Sequence, residues 1–211
     1  RELQITEDMR VCDLGTNTAV IPLIMSARCR AKEIVGVEVQ EQAFELAQEN
    51  LKLNSLMDRL KLVLANVKDI KGMESQLLGA EGFDVVTTNP PYMESGRGLV
   101  SGNTAKAIAR HELLTDLDKV VEIAGKLLKE NGKFFMIHRP SRLSEIFASM
   151  KQNRIEPKRI RFVHPYIYKP ANLVLIEGMK GSGVWIDVEA PLVVYREKNI
   201  YTDEVLKIYG R

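Results

Sequence analysis

The sequence predicts an α/β fold, a doubly wound and mostly parallel sheet with helices on both faces, and three observations carry that reading. Short β-branched runs alternate with apolar stretches of helical spacing over the first 150 residues. Glycine, asparagine and proline stand at the ends of those runs, where a strand has to stop and turn. Beyond them the apolar runs are separated by turn signals, the pattern of antiparallel strands.

Val11 to Leu14 reads as a strand closed by Gly15-Thr16, and Ala19 to Met25 as the helix that follows. Ile34 to Val37, closed by Glu38, is a second strand, and Gln40 to Asn54 a second helix, with Ala43, Phe44, Leu46, Ala47, Leu51 and Leu53 near helical spacing. Leu60 to Leu64 supplies a third strand. Phe83 to Thr88 supplies a fourth, which stops at Asn89-Pro90-Pro91 because proline cannot continue a central strand. Gly- and Ser-rich Met93 to Ala105 reads as a mobile loop. Leu113 to Leu128 reads as a helix ended by Asn131-Gly132, followed by a strand from Lys133 to His138 and a helix from Ser141 to Lys151. Arg159 to His164, Ala171 to Glu177 and Val184 to Val188 are the closing strands. Pro165 to Pro170 and a hairpin turn at Gly181-Ser182-Gly183 separate them.

The 211 residues suit one domain spanning 1–211, with 45% hydrophobic and 27% charged residues, the composition of an ordinary folded protein. Arg1 stands where a natural start would have Met, so a further N-terminal segment is expected. No apolar run reaches the ~18 residues of a membrane helix and the opening lacks a secretory layout, so a cytoplasmic protein away from the membrane is expected. Cys12 and Cys29 cannot build a disulfide framework and read as packing thiols. His111, His138 and His164 form no metal-ligand spacing, so no metal is expected and the histidines read as structural or surface residues. From Arg139 to Lys169 eight Lys and Arg stand against Glu145 and Glu156, a local charge of +6 within a chain of net +2. Such a block reads either as a nucleic-acid contact face or as a solvated helix and strand edge.

In open parallel sheets ligands bind beyond the carboxyl ends of the strands, here Gly15, Glu38, Asn66 and Asn89. Asp13-Leu14-Gly15-Thr16 with Glu38 suits an adenosine-containing cofactor, because the glycine admits backbone to the ligand and the carboxylate accepts both ribose hydroxyls. Read as G-x-G-x-x-G, the loop gives Gly15, Asn17 and Val20, which disfavours NAD or FAD. No Walker-type phosphate loop exists either, and a cofactor without phosphates, S-adenosyl-L-methionine, fits better. In Asn89-Pro90-Pro91-Tyr92 the prolines fix the backbone, so the Asn89 side-chain oxygen and the Pro90 carbonyl become paired acceptors for an exocyclic NH₂. Held that way, the amine is aligned on an electrophilic methyl without a strong base, and Tyr92 offers a face to a planar base. Alternatively the tetrapeptide is a rigid strand-to-loop turn. Asn66 reads as a contact to the adenine ring or as a plain strand-end polar residue.

With these residues in view, the chain resembles the class I S-adenosylmethionine-dependent methyltransferases, and among them the bacterial adenine-N6 methyltransferases acting on valine tRNA. The resemblance runs from Val11 to Gly210. It rests on Asp13-Leu14-Gly15-Thr16, Val35-Gly36-Val37-Glu38 and Asn89-Pro90-Pro91-Tyr92, and on the more specific His138-Arg139-Pro140, Arg161-Phe162-Val163-His164-Pro165 and Ala171 to Glu177. Pro191 to Tyr195 and Tyr201-Thr202 also look like this family. The resemblance implies a Rossmann-like, seven-stranded, mostly parallel sheet with antiparallel C-terminal strands. It implies cofactor contacts from Asp13, Gly15, Thr16, Asn17, Glu38, Val39, Asn66, Val67 and Asn89, with Glu38 on the ribose and Asn66 on the adenine edge. Asn89, Pro90, Pro91 and Tyr92 would hold the target amine, and Tyr92, Arg139, Arg161 and Lys169 the RNA. One departure stands out: the family's first loop reads D-x-G-x-G-x-G, and here Asn17 and Ala19 occupy the later glycine positions. Their side chains are expected to crowd the methionine end of the cofactor or to shift the loop.

Two other readings keep the same residues. The N-P-P-Y tetrapeptide is shared with glutamine-N5 methyltransferases of release factors and with DNA amino-methyltransferases, which also present a planar NH₂. A methyltransferase fold altered at Asn17 and Ala19 would instead be a non-catalytic module binding RNA or a partner protein. The sequence leaves monomer and homodimer open.

Overall fold

The computed structural model describes residues 4–66, 72, 77, 82–90 and 117–210. Four strands lie parallel in the order β3 (Leu60–Leu64), β2 (Glu33–Glu38), β1 (Arg10–Leu14) and β4 (Phe83–Thr88). β5 (Leu128–His138) continues the parallel set beside β4. β7 (Leu173–Lys180) then inserts antiparallel between β5 and β6 (Ile155–His164), so β6 runs in the direction of β5. The carboxyl ends of β1, β2, β4, β5 and β6 therefore share one edge of the sheet. Strand order reverses beside β1, which pairs Asp13 with Gly36 of β2 on one side and with Thr87 of β4 on the other.

Strand alternation sorts the core into two layers. Cys12, Leu14, Val35, Val37, Val86, Phe134 and Met136 face α3 (Leu117–Leu127) and α4 (Leu143–Gln152), which contribute Val121, Ala124, Leu127, Ile146 and Met150. Val11, Ile34, Leu60 and Val85 point the other way and meet Ala47 and Leu51 of α2 (Glu41–Leu53). Ala43, Ala47 and Leu51 recur every four residues, which puts all three on one helix face. Leu51 is fully buried, and its loss to Ala would cost about 2–5 kcal/mol. α1 (Val20–Arg28) lies between β1 and β2 in the chain, and Leu23 and Met25 pack against this second layer.

The strands and helices expected from the sequence are present over the described residues, with three differences. The main sheet has nine strands rather than seven, because β8 (Asp187–Val188) and β9 (Leu192–Val193) add to β6. The expected hairpin after Gly181 does not pair back on β7, since both edges of β7 are already taken by β5 and β6. The chain turns at Gly181, φ +69°, and lays β8 on the outer edge of β6, parallel to it. β5 begins at Leu128, earlier than Lys133, and absorbs Asn131 at φ 63° through a register shift against β4. Outside the main sheet, β10 (Tyr195–Glu197) and β11 (Ile200–Tyr201) form a small antiparallel pair that leads into α5 (Asp203–Ile208). Among the described residues no helix is long and apolar enough to cross a membrane.

Candidate active site

A cavity of about 500 Å³ opens at the carboxyl edge, where β1, β2, β4 and β5 end. That is within the range of small-molecule sites. Its walls include Gly15 to Thr18 from the loop after β1, Val37 to Gln40 from the end of β2, Ala65 after β3, and Thr88, Asn89 and Pro90 after β4. Leu117, Val120, His138 and Arg142 close it from the β5 side.

Glu38 organises the floor. It is 5% exposed, and its carboxylate accepts three backbone N–H groups: Asn17 on Oε2 at 2.7 Å, and Val39 and Gln40 on Oε1 at 2.9 Å each. One side chain thus fixes both the loop after β1 and the start of α2, and keeps oxygen lone pairs at the cavity wall. The Gly15 and Thr16 N–H groups both donate to Val37 O at 2.9 Å, and the Ala65 N–H donates to Glu38 O at 2.9 Å. Thr88 closes the other side by donating its hydroxyl to Leu14 O at 3.0 Å.

The loop keeps the backbone of a glycine-rich turn while changing its residues. Gly15, Asn17 and Ala19 all take left-handed conformations, with φ of 71°, 51° and 64°. Asparagine tolerates that region and alanine resists it. Asn17 and Ala19 thus hold the left-handed backbone that glycine adopts most easily. Ala19 turns its methyl into the core and Asn17 stands at the cavity wall. At Gly15 a Cβ would meet nothing within 4 Å, so the approach from the cavity is open. In β2, by contrast, a Cβ on Gly36 would come within 2.9 Å of Thr16 Cγ2, and the bare strand is what lets Thr16 pack over it.

Asp13 lies beneath this loop, 1% exposed. Burial pushes its carboxyl up to about 6, against the pull of the Thr87 hydroxyl, which donates to Oδ1 at 2.6 Å, and of the nearby Thr16 hydroxyl. The Glu38 charge adds a smaller upward push. Asp13 Oδ2 and Thr16 Oγ1 are buried and complete no hydrogen bond. Asp13 Oδ2 is thus a buried acceptor without a partner beneath the loop, and the Thr16 hydroxyl near it can both donate and accept.

His138 was read from sequence as structural or surface by default, yet it lines the cavity at 1% exposure. Its Nδ1 accepts the Arg139 N–H at 2.8 Å, which places the ring proton on Nε2. Burial and then the Arg142 charge hold its pKa below the usual histidine range, so the ring stays neutral. Two signals marked it: its position at the end of a strand, the criterion that singled out Glu38 and Asn89, and the run His138-Arg139-Pro140.

Of the expected cofactor contacts, Gly15, Thr16, Asn17, Glu38, Val39 and Asn89 line the cavity, and Asp13 supports it from below. Asn66 is exposed and follows the lining residue Ala65. Val67, Pro91, Tyr92, His111 and the expected loop Met93 to Ala105 lie outside the described residues. Cys12 is a fully buried thiol whose pKa burial pushes up, as a packing residue requires. The basic block divides. Arg142, Lys151, Arg154, Arg159 and Arg161 each lie within ion-pair distance of a carboxylate. Arg161 pairs with Glu204 at 2.5 Å, donates to Ala190 O, and lines a separate cavity with Phe135 and Leu175. Arg139 and Lys169 also stand at the carboxyl edge, as does the cavity-lining Arg142. Arg139 donates to Asn172 O at 3.1 Å, and the Lys169 ammonium lies 5.8 Å from the Tyr168 ring centre.

Residues 5–176 match the family model of a methyltransferase domain. The chain belongs to that family. The methyltransferase domain is 28% identical over 165 residues to a tRNA1(Val) (adenine(37)-N6)-methyltransferase of Porphyromonas gingivalis, covering 78% of this chain and 63% of that protein. A protein of the same name from Phocaeicola vulgatus is 35% identical over 127 residues, 60% of this chain and 50% of the relative. Another, from Flavobacterium johnsoniae, is 26% identical over 201 residues, 94% and 81% of the two chains. The alignments to the first two thus span about half to two thirds of those relatives' length. Among solved structures, a predicted O-methyltransferase of Agrobacterium tumefaciens superposes with a TM-score of 0.77 at 22% identity, covering 98% of this chain and 92% of the other. A geranyl diphosphate C-methyltransferase of Streptomyces coelicolor, solved with S-adenosyl-L-homocysteine, gives 0.58 at 13% identity over 84% and 75% of the chains. Both share the fold of the methyltransferase domain described above.

Proposed function

We propose that this chain catalyses methyl transfer from S-adenosyl-L-methionine to the exocyclic amine of an adenine in RNA, with tRNA as the substrate class. The observation that carries the reading is one cavity that joins the Glu38-held loop to Asn89 and Pro90. The names of the relatives support the substrate, and a tRNA substrate would place the reaction in the cytoplasm. When bound, S-adenosyl-L-methionine supplies an electrophilic methyl on a sulfonium centre. The residues present fit it: Glu38 offers a buried carboxylate at the cavity wall for ribose hydroxyls, open space above Gly15 admits the ligand, and the buried Asp13 lies beneath the loop where it would favour a cationic group.

Asn89 and Pro90 end β4 on the opposite wall. A side-chain amide oxygen and a proline carbonyl are acceptors without acidic protons, so they hold an amine by its two N–H bonds and leave its lone pair to point at the methyl. Neutral His138 adds no positive charge that would repel a sulfonium. No strong base is required, because the proton leaves after nitrogen has become cationic.

The test has two arms. Calorimetric titration with S-adenosyl-L-homocysteine should show binding near the micromolar range, about −8 kcal/mol. Labelled cofactor offered with tRNA, DNA and release factor side by side should label tRNA, and label appearing only in protein would replace the RNA reading with glutamine methylation. Absence of both binding and transfer would leave the altered loop as the mark of a non-catalytic module.

A further inference from the structure

Five of the chain's six tyrosines lie among the described residues, and these five stand in one continuous row. Tyr168 stacks on Tyr166 at 5.5 Å and 17°, and Tyr166 meets Tyr195 at 5.6 Å. Tyr195 stacks on Tyr201 at 5.1 Å and 17°, and Tyr201 meets Tyr209 at 5.9 Å. The rings come from the loop after β6, the β10–β11 pair and the end of α5, so no single segment explains the row. We propose that this tyrosine row is a stacking platform for unpaired bases of the RNA substrate, entered through its exposed end rings Tyr168 and Tyr209.

Position is the first argument. β6 runs parallel to β5, so the loop that carries Tyr166 and Tyr168 leaves the sheet at the edge where Asn89 and Pro90 end β4. Arg139, directly after β5, donates to Asn172 O in that same loop. β9 runs parallel to β6 and delivers Tyr195 to this edge as well.

Rigidity is the second. The His164 ring bonds Lys169 O at 2.7 Å, Lys169 N–H donates to Tyr166 O, and Tyr195 N–H donates to Pro165 O at 2.9 Å. Thr202 donates its hydroxyl to Val193 O at 2.7 Å and caps α5 by accepting from the Val205 N–H. Loop, strand pair and helix are thus tied together before any ligand arrives, which lowers the ordering cost of stacking.

Exposure and charge are the third. The end rings Tyr168 and Tyr209 are 73% and 63% exposed, and Ile167, Ile200 and Ile208 beside them are also open. Lys169, Lys198 and Lys207 are exposed in the same segments, and Arg161 pairs with Glu204 while Arg196 lies 3.7 Å from Asp203. Glu197 and the open Asp203 are the acidic side chains that oppose them. Planar faces edged by cations fit a polyanion with π-faces better than an acidic or purely apolar protein surface. The basic block alone does not supply this, since five of its members are ion-paired.

This surface rests on the RNA reading of the preceding section, and its test separates the two. Fluorescence anisotropy of a labelled RNA stem-loop with a seven-nucleotide single-stranded loop is measured against the parent chain and against Tyr168→Ala, Tyr168→Phe and Tyr209→Ala. Tyr168→Ala is expected to bind about tenfold more weakly, Tyr168→Phe as the parent does, and S-adenosyl-L-homocysteine binding to stay unchanged in all three. Parental RNA affinity in both alanine variants would overturn the platform while leaving the proposed activity standing. A parent chain that binds the cofactor analogue and no RNA would overturn both, as would a release factor captured through these rings instead.

Discussion

The Glu38 carboxylate accepts the backbone N–H of Asn17 at 2.7 Å, and this bond joins the end of the second strand to the loop after the first. It holds the loop in place although two of the three glycines usual there are absent. The same carboxylate starts α2 through Val39 and Gln40, so one residue is at once structural and cavity-facing. Glu38→Gln replaces one acceptor oxygen by an NH₂ that faces a backbone donor. S-adenosyl-L-homocysteine affinity should fall roughly 10- to 100-fold by calorimetry, with a stability loss of about 1–3 kcal/mol in urea unfolding. Unchanged affinity would remove Glu38 from the ribose role.

Ala19 carries the clearest backbone strain of the loop, a non-glycine at φ 64° with its methyl fully buried. Relief of a left-handed alanine is worth about 1–2 kcal/mol, and the lost methyl packing takes back about half of that. Ala19→Gly should therefore stabilise the chain by roughly 0.5–1 kcal/mol, with cofactor affinity unchanged. A net destabilisation would mean that methyl packing against the α2 layer outweighs the strain.

Asp13 makes stability depend on pH in an unusual direction for a carboxylate. Its folded pKa of about 6 lies above the ordinary 3.8, so between these values the folded state binds the extra proton. Its contribution is full below pH ~4 and is lost as pH rises through ~6, about 3 kcal/mol at most. The stability of the parent chain relative to Asp13→Asn should decline over that window and then level off. A difference flat with pH would show that folding leaves the Asp13 pKa at its ordinary value.

In the proposed reaction Asn89 is the side chain that holds the target amine. Asn89→Ala removes one of two acceptors for the amine and leaves the Glu38 carboxylate in place, so transfer should fall about 100-fold or more while analogue binding falls far less. Asn89→Asp keeps the oxygen and is the informative companion: it retains an acceptor but adds charge. Retained activity in the alanine variant would displace Asn89 from the site.

Much of this was legible in the chain. Val11 to Leu14, Ile34 to Val37, Leu60 to Leu64 and Phe83 to Thr88 announce themselves through β-branched runs closed by turn residues, and their ends located Gly15, Glu38 and Asn89. The charge block was the weaker signal. Counting Lys and Arg says nothing of Glu177, Glu189 or Glu204, which lie far along the chain and neutralise Arg159 and Arg161 in the fold.

By itself the sequence determined what depends on neighbours a few residues away: strand and helix periods, the turn after β1, and the stop of β4 at Asn89-Pro90. Tertiary structure alone decided what depends on distant segments meeting. β8 runs parallel because β7 has no free edge, His138 faces the cavity because β5 ends there, and five tyrosines spread over more than forty positions stack because β6, β9 and α5 deliver them to one place. Side-chain periodicity encodes which face of an element is buried, and carries no record of which other element will cover it.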